Sequence, residues 1–130
     1  MAKQHYVIVV VDDDPTLNSL IRDILSAEGY QVPGCFTRAA SSRVIKRVVP
    51  DVAVIDMQMD VRDAGLLLLQ SLRQNPQTLT LSVIICSADL PYLDEHREQV
   101  ALLGAEAIPK PFEIEHLLET VKRLLAATPE

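Results

Sequence analysis

The sequence predicts an α/β fold: a doubly wound sheet of five parallel strands with helices on both faces. Three observations carry this expectation. Short apolar runs alternate five times with segments of helical periodicity, the pattern of strand and crossover helix. The first run, Tyr6 to Val11, is rich in β-branched residues and apolar on both faces, which suits a strand covered on both sides. The chain has 130 residues, which at a prior of roughly 150 residues per domain is one domain, long enough to bury about two-thirds of its unfolded surface.

Each element has its own signal. After the first strand, Leu17, Leu20, Ile21, Ile24 and Leu25 fall on one helical face, with Asp14 placed to cap, Pro15 at the first position and Gly29 to close. Gln31 to Phe36 is a weaker strand, interrupted by Pro33 and Gly34 and so expected at an edge. Thr37 can cap a second helix with Ala40, Val44 and Val48 inward, while Arg38, Arg43, Lys46 and Arg47 make its other face a solvated basic one. Val52 to Ile55 is the third strand, ending at Asp56, and Leu66, Leu69 and Leu72 mark a helix that stops before Pro76. Leu81 to Cys86 is the fourth strand, ending at Ser87, and Leu93, His96, Val100 and Leu103 line the helix that Gly104 ends. Ala105 to Pro109 is a short fifth strand, again an edge. The last helix carries Ile114, Leu117, Leu118, Val121, Leu124 and Leu125 inward, its acids (Glu113, Glu115) first and its bases (Lys122, Arg123) last, as the helix dipole favours. Thr128 to Glu130 is expected to fray.

Composition narrows the function. Hydrophobic residues are 48% and charged residues 23%, a globular balance. Aromatics are 4% with no Trp, which argues against a nucleic-acid reader built on stacking rings. The formal net charge of −6 argues against binding DNA or an anionic membrane through bulk charge. The longest apolar run is far short of the ~18 residues of a membrane span and lacks a signal-peptide cleavage site. The chain reads as a soluble cytoplasmic protein. Cys35 and Cys86 sit in apolar stretches and read as buried thiols. His5, His96 and His116 fit no metal-ligand spacing.

In a parallel doubly wound sheet, ligands bind at the carboxyl ends of the strands. Just past the strands stand Asp12, Asp13 and Asp14, then Asp56, then Ser87, then Lys110. Carboxylates meeting at one point repel by ~4 kcal/mol per close pair at a moderate effective dielectric. A hard divalent cation with oxygen ligands offsets that repulsion, and Mg²⁺ suits one to three carboxylates plus waters. Mg²⁺, an ammonium and a hydroxyl together form a cage for a phosphoryl group. A carboxylate can itself accept phosphate, and Asp56, alone at its strand end, is the best placed.

From roughly Tyr6 to Leu125 the chain resembles the receiver domain of two-component response regulators. The carrying motifs are Asp12-Asp13 after strand one, Asp56 after strand three, Ser87-Ala88 after strand four and Lys110-Pro111, with Phe112, after strand five. The resemblance implies a flavodoxin-like strand order 2-1-3-4-5 and a single receiver domain over residues 1–130, with no effector domain in this chain. It implies Asp56 as phosphoacceptor, Asp13 as a direct Mg²⁺ ligand, Asp12 as a ligand through water, and Asp56 and the backbone carbonyl of Gln58 completing the metal's protein ligands. Ser87 and Lys110 would bind the phosphoryl group, the Lys110-Pro111 peptide would be cis, and Gln58 and Asp89 would tune dephosphorylation. The implied partners are a histidine kinase or phosphotransfer protein and a downstream protein or effector domain. A dimer through the face of the fourth helix, fifth strand and last helix is one implied assembly. The protein would be a phosphoacceptor rather than an enzyme, with at most self-catalysed phosphorylation and autodephosphorylation.

Three departures from the family pattern stand out. Asp60 replaces the Pro usual four residues after the acceptor. The glycine that follows arrives one residue late, at Gly65, so the loop after strand three is expected to carry an insertion, with Asp60 or Asp63 as an extra acid near the metal. Ala107 stands where the family often has the Tyr or Phe of an aromatic switch. Two other readings fit part of the chain. One is a receiver-like docking module that does not switch. The other follows from Asp12-x-Asp14-x-Thr16, which resembles the first motif of haloacid-dehalogenase-type phosphatases and would make Asp12 the nucleophile.

Overall fold

The computed structural model of the chain describes residues 5–127; the expected fray at 128–130 lies outside them. Five strands, β1 (Ile8–Val11), β2 (Gly34–Cys35), β3 (Val52–Asp56), β4 (Ser82–Ser87) and β5 (Ala105–Pro109), form one sheet. All pairings are parallel, in the order β2-β1-β3-β4-β5. The helices α1 (Pro15–Ser26), α2 (Arg38–Val48), α3 (Ala64–Arg73), α4 (Leu90–Leu102) and α5 (Ile114–Ala127) alternate with them.

Two apolar layers sandwich the sheet. Val9, Val11, Ala53, Ile55, Val83 and Ile85 point toward α2, α3 and α4, where they meet Ile45, Leu69 and Leu93. Ile8, Val10, Val52, Val54 and Ile84 point the other way and meet Ile21 and Leu25 of α1 and Leu117 and Val121 of α5. Because the side chains of a strand alternate between faces, burial on both faces requires continuous apolar runs.

Both edges fall where proline placed them. β2 is shorter than the expected Gln31 to Phe36. Ile8 and Val10 of β1, and Asp12 just past it, donate to the carbonyls of Gln31, Pro33 and Cys35 at 2.9–3.0 Å, but Pro33 has no N–H to return. β1 likewise starts at Ile8 rather than Tyr6, with Val7 in an isolated bridge to Gln31.

The helix starts follow the sequence. Asp14 Oδ1 accepts the N–H groups of Thr16 (3.0 Å) and Leu17 (3.3 Å), with Pro15 opening α1. Thr37 Oγ1 accepts from Ala40 N at 3.1 Å. Three helix faces are rotated or shortened relative to expectation. On α1, Ile21 and Leu25 are buried but Leu20 is 53% exposed. On α2 the inward line is Ser41 and Ile45, and Ala40, Val44 and Val48 are only half-buried. On α5, Ile114 is exposed at the first residue, beyond the end of the core. α5 also runs on to Ala127, so Lys122 and Arg123 do not sit in its last turn. Arg123 instead grips Glu106 of β5 with both Nη atoms, 2.6 Å each, and holds that carboxyl below its ordinary pKa.

Candidate functional site

Strand register brings the polar residues together. Val11 pairs with Ile55, Asp56 with Cys86 and Ser87 with Pro109. Asp12 therefore emerges beside Asp56, and Lys110 beyond Ser87, whose carbonyl accepts Lys110 N–H at 2.8 Å. Asp12, Asp13 and Asp56 each offer a carboxylate oxygen within 4.8 Å of the others. Asp12 is buried and Asp13 is exposed, so the pocket opens on the Asp13 side. Lys110 Nζ lies 3.0 Å from Asp12 Oδ2 and 3.5 Å from Asp56 Oδ1.

The charges do not balance: three carboxylates face one ammonium. Burial, chiefly, pushes the Asp56 carboxyl up to about 6; Asp12 and Asp13 add to the rise, and Lys110 and the Gln58 N–H oppose it. Gln58 N–H donates to Asp56 Oδ1 at 3.3 Å. Burial alone would lower the pKa of Lys110, but the facing Asp56 and Asp12 outweigh it and the net direction is up. Cys86, pushed up to about 12 mainly by burial, is an inert thiol beneath the site. An oxygen-rich pocket with an excess of two formal negative charges fits a hard divalent cation such as Mg²⁺.

The remaining residues are placed as follows. Ser87 Oγ accepts Asp89 N–H at 3.1 Å. Asp89 caps α4 through Oδ1, which accepts Tyr92 N–H at 3.1 Å, and turns Oδ2 toward Arg62 at 3.7 Å. The Lys110–Pro111 peptide is cis. Asp14, the second acid of the phosphatase-like motif, has its carboxylate engaged in capping α1. Among the described residues neither Asp60 nor Asp63 joins the acidic cluster. The loop turns both outward, and Asp63 bonds the Tyr92 hydroxyl instead.

Two more residues support the site: Asn18, which carried no sequence signal recognised above, and Gly65, whose position the sequence did mark. Asn18, fully buried on α1, donates from Nδ2 to Asp12 O (3.0 Å) and Cys35 O (2.9 Å), fixing the end of β1 to β2. Its polar side chain on the inward line with Ile21 and Leu25 was the available hint. Gly65 lies against the acceptor strand: a Cβ there would stand 2.4 Å from Asp56 O and 2.5 Å from Met57 Cα.

Sheet order and acidic pocket together define a receiver-type signalling domain. The family model of the response regulator receiver domain matches residues 8–122. Response regulator MprA of Mycobacterium leprae is 33% identical over 124 residues, covering 93% of this chain and 51% of the relative. The DNA-binding dual master transcriptional regulator RpaA of Synechocystis is 26% identical over 121 residues, covering 93% and 49%. The chain thus spans about half the length of the curated relatives it matches. Among solved structures, the receiver domain of the Francisella response regulator 1452 superposes with a TM-score of 0.83 at 30% identity, covering 95% of this chain and 99% of that one. The non-phosphorylated HemR receiver domain of Leptospira biflexa has the same fold, with a TM-score of 0.84 at 23% identity and coverage of 96% and 98%. The chain belongs to the response regulator receiver domain family.

Proposed function

We propose that this receiver domain takes a phosphoryl group onto Asp56 from a histidine kinase or phosphotransfer protein and passes the signal on through its α4-β5-α5 face. The observation that carries the reading is the charge imbalance around Asp56: three converging carboxylates against one ammonium, that of Lys110, which contacts both Asp12 and Asp56. Asp12, Asp13, Asp56 and the carbonyl of Gln58 would hold Mg²⁺. The ion, when bound, neutralises the carboxylates and the phosphoryl oxygens drawn in beside them.

The chain's own residues divide the remaining work. A carboxylate oxygen of Asp56 attacks phosphorus as the donor's bond to phosphorus breaks, leaving an acyl phosphate. With a pKa of about 6, Asp56 is mostly ionised at neutral pH and available as a nucleophile. Lys110, already 3.5 Å from Asp56, pairs with the incoming negative charge. The Ser87 hydroxyl has only a 3.5 Å contact with Asp89 O for its proton, so it can turn to a phosphoryl oxygen. Gln58 and Asp89, two residues beyond Asp56 and Ser87, flank the route of the water that later removes the phosphate.

Beside Lys110 and Pro111 lies an apolar groove of about 430 Å³ lined by Leu17, Leu20, Ile21, Ile24, Phe112 and Ile114. Leu20 and Ile114, the exposed apolar residues of α1 and α5, lie in its wall. Among the described residues no helix is long and apolar enough to cross a membrane, and the domain is proposed to act in the cytoplasm. DNA contact, if the pathway needs it, falls to an effector rather than to this acidic domain.

Intact mass after incubation with acetyl phosphate tests the reading. Wild type should gain one phosphate in the presence of Mg²⁺ and none in EDTA, and Lys110→Ala should gain it more slowly. Uptake that is equal with and without the metal would refute the proposed site.

A further inference from the structure

The loop between β3 and α3 carries two charged residues whose partners lie on α4. The Arg62 guanidinium stands 4.6 Å from the centroid of the Tyr92 ring, and its Nη2 is 3.7 Å from Asp89 Oδ2. Asp63 accepts the Tyr92 hydroxyl hydrogen bond. Tyr92 sits in the first turn of α4, its N–H held by Asp89 Oδ1, and the Asp89 N–H is held in turn by Ser87 Oγ. A continuous chain of contacts therefore joins Ser87 to Asp89, to Tyr92 and to the β3–α3 loop. The Tyr92 ring is 4% exposed and is the one aromatic among the buried residues of the core half under α2, α3 and α4. Ala107 of β5 packs against that same half and brings no ring to it.

We propose that Arg62 and Asp63 latch Tyr92, and that this latch couples the acceptor site to α4 in place of an aromatic on β5. The inference rests on the reading of Asp56 as acceptor. Ser87 Oγ that turns to a phosphoryl oxygen releases the Asp89 N–H. The turn that presents Tyr92 to the loop then loses its anchor. A ligand shifts such an equilibrium only through contacts that differ between the two states, and the Ser87 hydroxyl makes that difference here. The latched arrangement is the resting one, and its opening frees the first turn of α4 at the signalling face.

Hydrogen exchange on the full chain tests this, in wild type, Tyr92→Phe and Asp63→Ala, with Mg²⁺ and with or without acetyl phosphate. Intact mass measured in parallel reports phosphate uptake. Phosphorylation of wild type should raise exchange several-fold across residues 88–96. Tyr92→Phe keeps the ring but loses the hydroxyl. It should show that raised exchange already at rest, with little further rise on phosphorylation, and Asp63→Ala, which removes the acceptor, should follow it. Variants that take up phosphate and still show the full wild-type response overturn the latch alone, because a mere brace would alter the resting state without reducing the response. A wild type that takes up no phosphate overturns the acceptor reading, and the coupling with it.

Discussion

Removing the charge of Asp56 should stabilise the metal-free protein, by an amount set by the site's own electrostatics. The ordinary value for the group is 3.8 and the folded value is about 6, raised by burial first and by Asp12 and Asp13 after it. A folded pKa above the unfolded one means that ionising the group costs stability. The cost is absent well below 3.8, grows as pH rises through the interval, and is complete above about 6. At ~1.36 kcal/mol per pH unit the full cost is about 3 kcal/mol. Asparagine has the shape of the protonated acid, so Asp56→Asn should gain about 3 kcal/mol at pH 8 and about half of that at pH 5. For a domain of this size the gain at pH 8 is roughly 10 °C in Tm. Urea denaturation of both proteins in EDTA, at pH 5 and pH 8, reads the difference directly. A variant no more stable than wild type at pH 8, or a gain that does not change with pH, would refute the reasoning.

Three further perturbations have defined outcomes. Millimolar Mg²⁺ should raise the Tm of wild type by linkage and leave that of Asp13→Asn nearly unchanged; an unchanged wild type in a thermal melt would remove the metal site. Gly65→Ala should destabilise by about 3 kcal/mol or more, because its Cβ would stand 2.4 Å from Asp56 O, with no flexible side chain to yield; chemical denaturation measures it, and a cost under about 1 kcal/mol would contradict the close approach. Val49 ends α2 in the left-handed region at φ 51°, a backbone that β-branched residues avoid, and its side chain is 61% exposed. Val49→Gly should therefore gain about 1 kcal/mol in the same assay, and a loss would mean that its packing outweighs the strain.

What the sequence revealed follows from where the physics is local. β1, β3 and β4 are legible because a strand buried on both faces must be apolar throughout. The acidic pocket is legible because parallel strands align their carboxyl ends, so residues 44 positions apart, such as Asp12 and Asp56, become register neighbours. β2 is shorter than its apolar run because Pro33 has no N–H to give to β1, a loss that leaves the apolar pattern unchanged. Leu20 and Ile114 were placed inward because periodicity cannot distinguish an apolar residue in the core from one that lines a groove. Asn18 was passed over because its value lies in two carbonyls supplied by other strands. The contacts of Arg62 and Asp63 with Tyr92 depend on how the β3–α3 loop folds back over α4, across 29 positions for the Asp63 bond, and no local pattern encodes that.

The identity of the phosphorylated residue tests the central claim most directly. Borohydride reduction of the phosphorylated protein, followed by peptide mapping, marks the aspartate that carried the acyl phosphate. The mark should fall on Asp56, within the peptide from β3, and should disappear in Asp56→Asn. A mark on Asp12, or one that persists in Asp56→Asn, would contradict the account.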